Sequence, residues 1–230
     1  MYSNIRDNKP VQQRKIRPTR RSVSGVYAFR GETGIEFEST LERDFIILNE
    51  FNLNVLDIIP QPAQIPFTDA NGRQYSYTPD FLVYYHLGNR SYQNYPKPCL
   101  VEVKPAKEWR ENWRKWLPKW KAACRYARHN GWEFHIHDES RIRQLRLENI
   151  RWLSRYKAMF FQNEEINMVM DIVGQAGTVT VDYLLSRCFA GLYEATGQSL
   201  IWHLLSTRKL DCDISQTLNR STVIWIPHHE

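Results

Sequence analysis

Hydrophobic and polar positions change their period several times along this chain. Ser39-Thr40-Leu41-Glu42 has the form of a capping box, and Leu41, Phe45 and Leu48 then recur at i, i+4 and i+7. That spacing predicts an amphipathic helix that opens a domain and ends near Asn52. Short runs rich in β-branched and aromatic residues follow at 55–59, 63–67, 80–85 and 99–103, separated by Pro, Gly and Asn turns such as Asn71-Gly72. They read as strands of one sheet. Residues 108–129 then read as helix and 132–137 as strand, so a strand-helix-strand unit closes the domain and the expected class is α/β.

Beyond Arg155 the pattern changes to short helices near 164–173, 181–189 and 193–208, followed by a hairpin-like pair at 210–214 and 222–226. Three helices and a two-stranded wing predict a small winged-helix-like α+β domain, with Gly174, Gly177, Gly191 and Gly197 marking tight turns. At the other end, Arg6, Lys9, Arg14, Lys15, Arg17, Arg20 and Arg21 stand against the single acid Asp7, with almost no apolar residues. This predicts a basic flexible arm, either a plain solvated tail or an element that tracks phosphates. The expected organisation is an arm over 1–24, an α/β domain over 25–158 and the winged-helix-like domain over 159–230.

Composition narrows the function. With 230 residues, 42% of them hydrophobic and 13% aromatic, the chain is long and apolar enough to fold on its own core. No stretch approaches the length of a membrane span and the first residues lack a signal peptide's apolar core, so a cytoplasmic address is expected. A net charge of +6 suits a polyanionic partner and makes nucleic acid the leading class. Cys99, Cys124, Cys188 and Cys212 form no C-x-x-C pair, so they read as reduced thiols.

The chemistry gathers in two strands. Asp80 begins the apolar run Phe81-Leu82-Val83, while Leu100-Val101-Glu102-Val103-Lys104 places an acid and a base two apart on another strand. Residues two apart share a face, so Glu102 and Lys104 point one way and Val101 and Val103 the other. An adjacent strand can then set Asp80 beside Glu102. Two carboxylates at one point repel unless a cation joins them, and a hard dication such as Mg²⁺ prefers oxygen ligands with waters retained. A lysine beside such a centre suits phosphodiester hydrolysis. The bland alternative is an ordinary surface pair in which Lys104 offsets Glu102. It is disfavoured because both acids interrupt apolar strands and Asp80 is the only charge from Tyr77 to Val83.

Pro79-Asp80 with Glu102-Val103-Lys104 resembles the PD-(D/E)xK nuclease superfamily. More narrowly, the chain is similar to the TnsA-type endonucleases of heteromeric transposases. Residues 36–42, 55–58, 78–83, 101–105 and 148–153 fall in that family's order. The resemblance implies a restriction-endonuclease-like mixed sheet flanked by helices, and a DNA endonuclease that cuts the 5′ strands at transposon ends. It implies Mg²⁺, with Mn²⁺ able to substitute, held by Asp80, Glu102 and the backbone carbonyl of Val103, with Lys104 assisting the water or the transition state. It also implies an acid from the first helix, Glu42, as a catalytic residue and a further metal ligand, although the same side chain fits the closing position of a capping box. Some relatives carry Gln in place of Glu102. The implied partners are transposon-end DNA, a TnsB-type recombinase and, through the C-terminal domain, a TnsC-type ATPase regulator. A CRISPR-associated targeting complex accompanies some short members.

Other features stay open. Trp109, Trp113, Trp116 and Trp120 alternate with basic residues at helical spacing; packing on the sheet is the more common use of such a stripe, stacking on bases the rarer one. DNA contact is expected from Arg14, Lys15, Arg17, Arg20 and Arg21 of the arm and from Lys107, Arg110 and Arg114. His135, His137 and His228-His229 lack a third partner at ligand spacing. Ser199, His203, Thr207, Arg208 and Lys209 lie where a winged helix presents its recognition surface. The rival functions are a freestanding restriction-type or junction-resolving nuclease, and a non-catalytic winged-helix DNA-binding adaptor.

Overall fold

The structure, a computed structural model of the chain, describes residues 10–14, 23–69, 71–88, 90, 94–189 and 191–227. Lys15, Arg17, Arg20 and Arg21 of the expected arm, and His228-His229, lie outside them. The chain divides into two units, 1–142 and 143–230.

A hairpin, not a helix, opens the first unit: β1 (Gly25–Phe29) pairs antiparallel with β2 (Thr33–Phe37). Its inward positions Phe29, Ile35 and Phe37 are too few and too spaced to stand out as a run, and the turn carries Arg30 and Gly31 at φ of 53° and 73°. The capping-box helix follows as α1 (Thr40–Phe51), with the Ser39 hydroxyl accepting the Glu42 N–H at 3.1 Å. Next come β3 (Val55–Pro60), β4 (Ile65–Thr68), β5 (Gln74–Tyr77), β6 (Phe81–Tyr85), β7 (Cys99–Val103), α2 (Ala106–His129), β8 (Glu133–His137) and α3 (Glu139–Ile142).

The central sheet has the order β3-β6-β7-β8, antiparallel except for the parallel β7–β8 pair that α2 connects. The fold is therefore a mixed sheet flanked by helices, consistent with the restriction-endonuclease-like class. The run at 63–67 does not join this sheet; among the described residues β4 pairs only with β5. Pro66 within it lacks the N–H that a central ladder needs, which confines the segment to a two-stranded hairpin.

Strand alternation sorts the core into two layers. Ile58, Phe81, Val83, Val101 and Val103 face Leu41, Phe45 and Ile46 of α1 together with the β1–β2 hairpin. Ile59, Leu82 and Leu100 face the other way, onto Ala122, Ala123 and Ala127 of α2 and onto Ile65 and Tyr77. The small alanines let α2 lie close on the sheet. Glu102 belongs by parity to this second layer. Pro118 sits inside α2, one residue before Lys119, where it removes a helix hydrogen bond.

The second unit contains α4 (Leu145–Ser154), α5 (Asn163–Ala176), β9 (Thr178–Thr180), α6 (Val181–Cys188), a 3₁₀ turn at Gly191–Tyr193, α7 (Glu194–Ser206), β10 (Asp211–Cys212) and β11 (Val223–Trp225). It begins at residue 143, ahead of the boundary expected at 158, because α4 packs on α7: Trp152 meets Trp202 edge-on at 5.2 Å, and the Asn149 amide donates to the Ile214 carbonyl at 3.0 Å. The expected hairpin of β10 and β11 gains β9 as a third antiparallel strand, too short to show in the sequence.

Helix α7 is chiefly core rather than a presented face. Leu200, Ile201, Trp202, Leu204 and Leu205 are fully buried. His203 meets the Tyr156 carbonyl at 2.9 Å, Arg208 pairs with Asp211 at 2.6 Å, and the Ser199 and Thr207 hydroxyls bond back to their own helix. Gly197 is required by close approach, since a Cβ there would stand 2.2 Å from the Phe189 ring. Among the described residues no helix is long and apolar enough to cross a membrane.

Candidate active site

The ladder between β6 and β7 pairs Phe81 with Val101, which brings Asp80, one residue before β6, to the C-terminal end of β7. There its carboxylate Oδ2 accepts the Val103 N–H at 2.7 Å, and its backbone carbonyl accepts the Gln61 N–H at 2.8 Å. The Lys104 ammonium lies 3.7 Å from Asp80 Oδ2 and 3.8 Å from Glu102 Oε1. Asp80, Glu102 and Lys104 thus converge, with Lys104 held between the two acids.

Accessibility grades the three. Side-chain exposure is 1% for Glu102, 12% for Asp80 and 25% for Lys104, so the cluster runs from the interior to its mouth. Burial first, and then the neighbouring Glu102 charge, push the Asp80 pKa well above the ordinary carboxylate range, while Lys104 and the Val103 N–H pull it back. Burial disfavours the Lys104 ammonium, but Asp80, Glu102 and Glu42 outweigh that and raise its pKa above the usual lysine value. The two acids therefore favour the ammonium form of Lys104.

Three residues of the site escape a motif search. The Tyr77 hydroxyl donates to Glu102 Oε2 at 2.5 Å, and burial with the adjacent Glu102 and Asp80 charges holds the phenol protonated. Lys119, from α2, reaches Glu102 Oε1 at 3.0 Å. Gln61, opposite Asp80, is buried in the left-handed region at φ 46°, with its Oε1 unpartnered among the described residues. A lysine inside a tryptophan stripe was the available signal for Lys119. Tyr77 and Gln61 gave none, because their roles depend on the hairpin and the sheet meeting.

Glu42 closes its helix cap: Oε2 accepts the Glu38 N–H at 2.7 Å and Oε1 the Ser39 hydroxyl at 3.0 Å. It also lies within electrostatic reach of Asp80 and Lys104, and burial raises its pKa. The tryptophan stripe divides. Trp120 is buried against Trp109 and Trp116, whereas Trp113 is 45% exposed with the Arg114 guanidinium over its ring. Lys107, Arg110 and Arg114 are exposed along the first half of α2. Arg14 pairs with Glu38, and the Gln13 N–H donates to the Gln61 carbonyl at 3.0 Å, so residues 12–14 lie against the first unit rather than swinging free. His135 pairs with Glu133 at 3.2 Å and His137 packs edge-on against Phe45 at 5.3 Å.

Among the described residues no three His, Cys, Asp or Glu side chains form a ligand group. A Mg²⁺ ion asks for less: one or two carboxylates, with water completing its shell. Asp80 and Glu102 supply two hard-oxygen donors that already share one cation, Lys104, and so fit that ion.

Two family models match the chain. The model of the TnsA-like endonuclease N-terminal domain covers residues 52–139 and that of the TnsA endonuclease C-terminal domain covers 141–214, together well over half of the chain. Asp80, Glu102, Lys104 and Lys119 fall within the first match, and the join between the matches coincides closely with the division of the structure at Ile142. No curated protein matches the chain.

Proposed function

The chain belongs to the TnsA endonuclease family of transposase subunits, and on that footing we propose that it is a Mg²⁺-dependent endonuclease that cuts the 5′ strands at transposon ends. The observation that carries this reading is the convergence of Asp80, Glu102 and Lys104 at one end of the β6–β7 ladder. Asp80 and Glu102 would hold the ion, with the Val103 carbonyl as a third donor; Mn²⁺ would serve in its place. The bound ion supplies Lewis acidity, lowering the pKa of a water and polarising the scissile phosphate.

The residues divide the remaining work. Lys104, an ammonium held between two acids, stabilises the negative charge that grows on phosphorus as the strand breaks. Glu42 adds a negative field behind Lys104 and Asp80 while its cap fixes α1. Lys107, Arg110 and Arg114, exposed on α2 just after Lys104, supply phosphate contacts for duplex DNA, with Trp113 as a flanking apolar surface. The arm residues Arg14, Lys15, Arg17, Arg20 and Arg21 extend that contact.

From α5 onward the second unit runs helix, strand, helix, helix, strand, strand, the order of a winged helix, and we assign the unit to partner contact with a TnsC-type ATPase. Its buried α7 argues against base reading by that helix. A TnsB-type recombinase would process the 3′ strands.

Strand-resolved cleavage of labelled transposon-end DNA, with and without the TnsB-type partner and Mg²⁺, tests the proposal. The expected result is a metal-dependent 5′-strand nick that appears with the partner and disappears in Asp80→Ala and Lys104→Ala. Partner-independent cleavage would make the chain a freestanding nuclease. Unchanged cleavage by both variants would remove this active site.

A further inference from the structure

Glu102 is the least accessible acid of the cluster, and both of its oxygens are engaged. Oε2 takes the Tyr77 hydroxyl at 2.5 Å, while Oε1 takes Lys119 Nζ at 3.0 Å with Lys104 Nζ behind it at 3.8 Å. Lys119 arrives from α2, the helix that covers the Glu102 face of the sheet, and only 16% of its side chain is exposed. Its ammonium lies over the Trp116 ring at 4.6 Å, the Tyr77 ring at 4.8 Å and the Trp120 ring at 5.8 Å. A cation in such a cage is held by ring faces as well as by its carboxylate partner. Phosphate contact does not need this arrangement, because the DNA-facing cations of the same helix, Lys107, Arg110 and Arg114, are exposed.

We propose that Lys119 is a built-in counter-cation of the nuclease site: it neutralises and orients Glu102 in the metal-free protein, competes with the incoming metal ion for Glu102 Oε1, and so sets the metal concentration at which the site loads. Lys119 is a positioning residue in this scheme, and Tyr77 is its counterpart on the other oxygen. The inference rests on the reading of Asp80 and Glu102 as the metal ligands.

Two effects oppose each other when the ammonium is removed. A unit positive charge bonded to a metal ligand weakens binding of a dication by roughly tenfold even at the screening of bulk water. Freeing one oxygen of Glu102 costs orientation, but only about a few-fold, since Tyr77 still grips the other oxygen. The charge effect wins. Loss of Lys119 therefore tightens metal binding, whereas loss of a merely structural residue would weaken it.

Calorimetric titration with Mn²⁺ alone, on the full chain without DNA, tests this. Native protein is compared with Lys119→Met, which keeps an unbranched side chain in the ring cage, with Lys119→Arg, which keeps the charge, and with Asp80→Ala. Circular dichroism of each metal-free variant establishes that it is folded. The expected result is Mn²⁺ binding tightened by about tenfold in Lys119→Met, near-native binding in Lys119→Arg and binding lost in Asp80→Ala. Cleavage at saturating metal falls several-fold in Lys119→Met while DNA affinity is unchanged. Binding by Lys119→Met that equals or falls below native overturns the counter-cation role and leaves the metal site standing. Binding by Asp80→Ala that equals native overturns the metal reading itself, and this inference with it.

Discussion

On the α1 face of the central sheet, Phe45, Ile58, Phe81, Val101 and Val103 meet as an apolar layer in which shape alone decides stability. One residue along the same strand, on the α2 face, Glu102 is just as inaccessible but carries a carboxylate, answered by Tyr77, Lys119 and Lys104. A buried ion pair is a weak source of stability, because desolvation consumes most of the Coulombic gain. The α2 face gives up stability to hold charges in fixed positions before substrate arrives, and the α1 face makes good the loss. Substitutions on the α2 face should therefore cost function, and substitutions on the α1 face should cost the fold.

The sharpest contrast comes from one atom. Asp80→Asn should lower cleavage by about a thousandfold or more, since it removes a proposed metal ligand. Its amide oxygen can still accept the Val103 N–H, and removal of an acid that burial and Glu102 disfavour should leave the metal-free protein as stable as native, or up to about 1 kcal/mol more so. Single-turnover kinetics beside urea unfolding reads both. Phe45→Ala on the other face should do the reverse, costing about 3–5 kcal/mol of stability by leaving a cavity beside Phe81 while cleavage per folded molecule persists.

A third contrast uses pH. His137, packed on Phe45, has its pKa lowered to about 4 by burial first and then by Arg141 and His135, with Asp138 opposing. A depressed pKa favours the neutral form in the fold. This contribution is therefore complete above the unfolded value near 6.5 and is lost as pH falls through 4. Between pH 7 and 4, His137→Phe should lose about 3 kcal/mol less than native, measured as the difference in urea midpoints. Equal losses would mean that the α1 face carries no such group.

The smallest effect separates the two roles of Glu42. Glu42→Gln keeps one acceptor oxygen, enough for the Glu38 N–H but not also for the Ser39 hydroxyl, so stability should fall by about 0.5–1 kcal/mol, while loss of the charge beside Asp80 and Lys104 should slow cleavage by about tenfold. Unchanged cleavage would assign Glu42 to the helix cap alone.

The features legible in the sequence are local ones. Period-two alternation put Glu102 and Lys104 on one face and named the strands that carry them, and Ser39 with Glu42 marked the start of α1. Helix α2 and the closing strand β8 also followed from their own periods. The features that escaped depend on contacts between distant segments. Lys119 joins Glu102 only because the alanines at 122, 123 and 127 seat α2 close to the sheet, and Tyr77 joins it only because β4–β5 folds back as a separate hairpin. The β1–β2 hairpin and β9 were too short or too sparsely apolar to show a period. The domain boundary moved for the same reason: α4 and α7, far apart in the chain, pack together.

Anomalous diffraction from crystals of the native protein soaked in Mn²⁺ bears most directly on the claim that the α2-face acids form a metal-dependent nuclease centre. A single strong peak within about 2.5 Å of oxygens from both Asp80 and Glu102, with Lys104 moved off the line between them, is the predicted result. A structure in which Lys104 still bridges the two acids while Mn²⁺ binds elsewhere on the chain would contradict it.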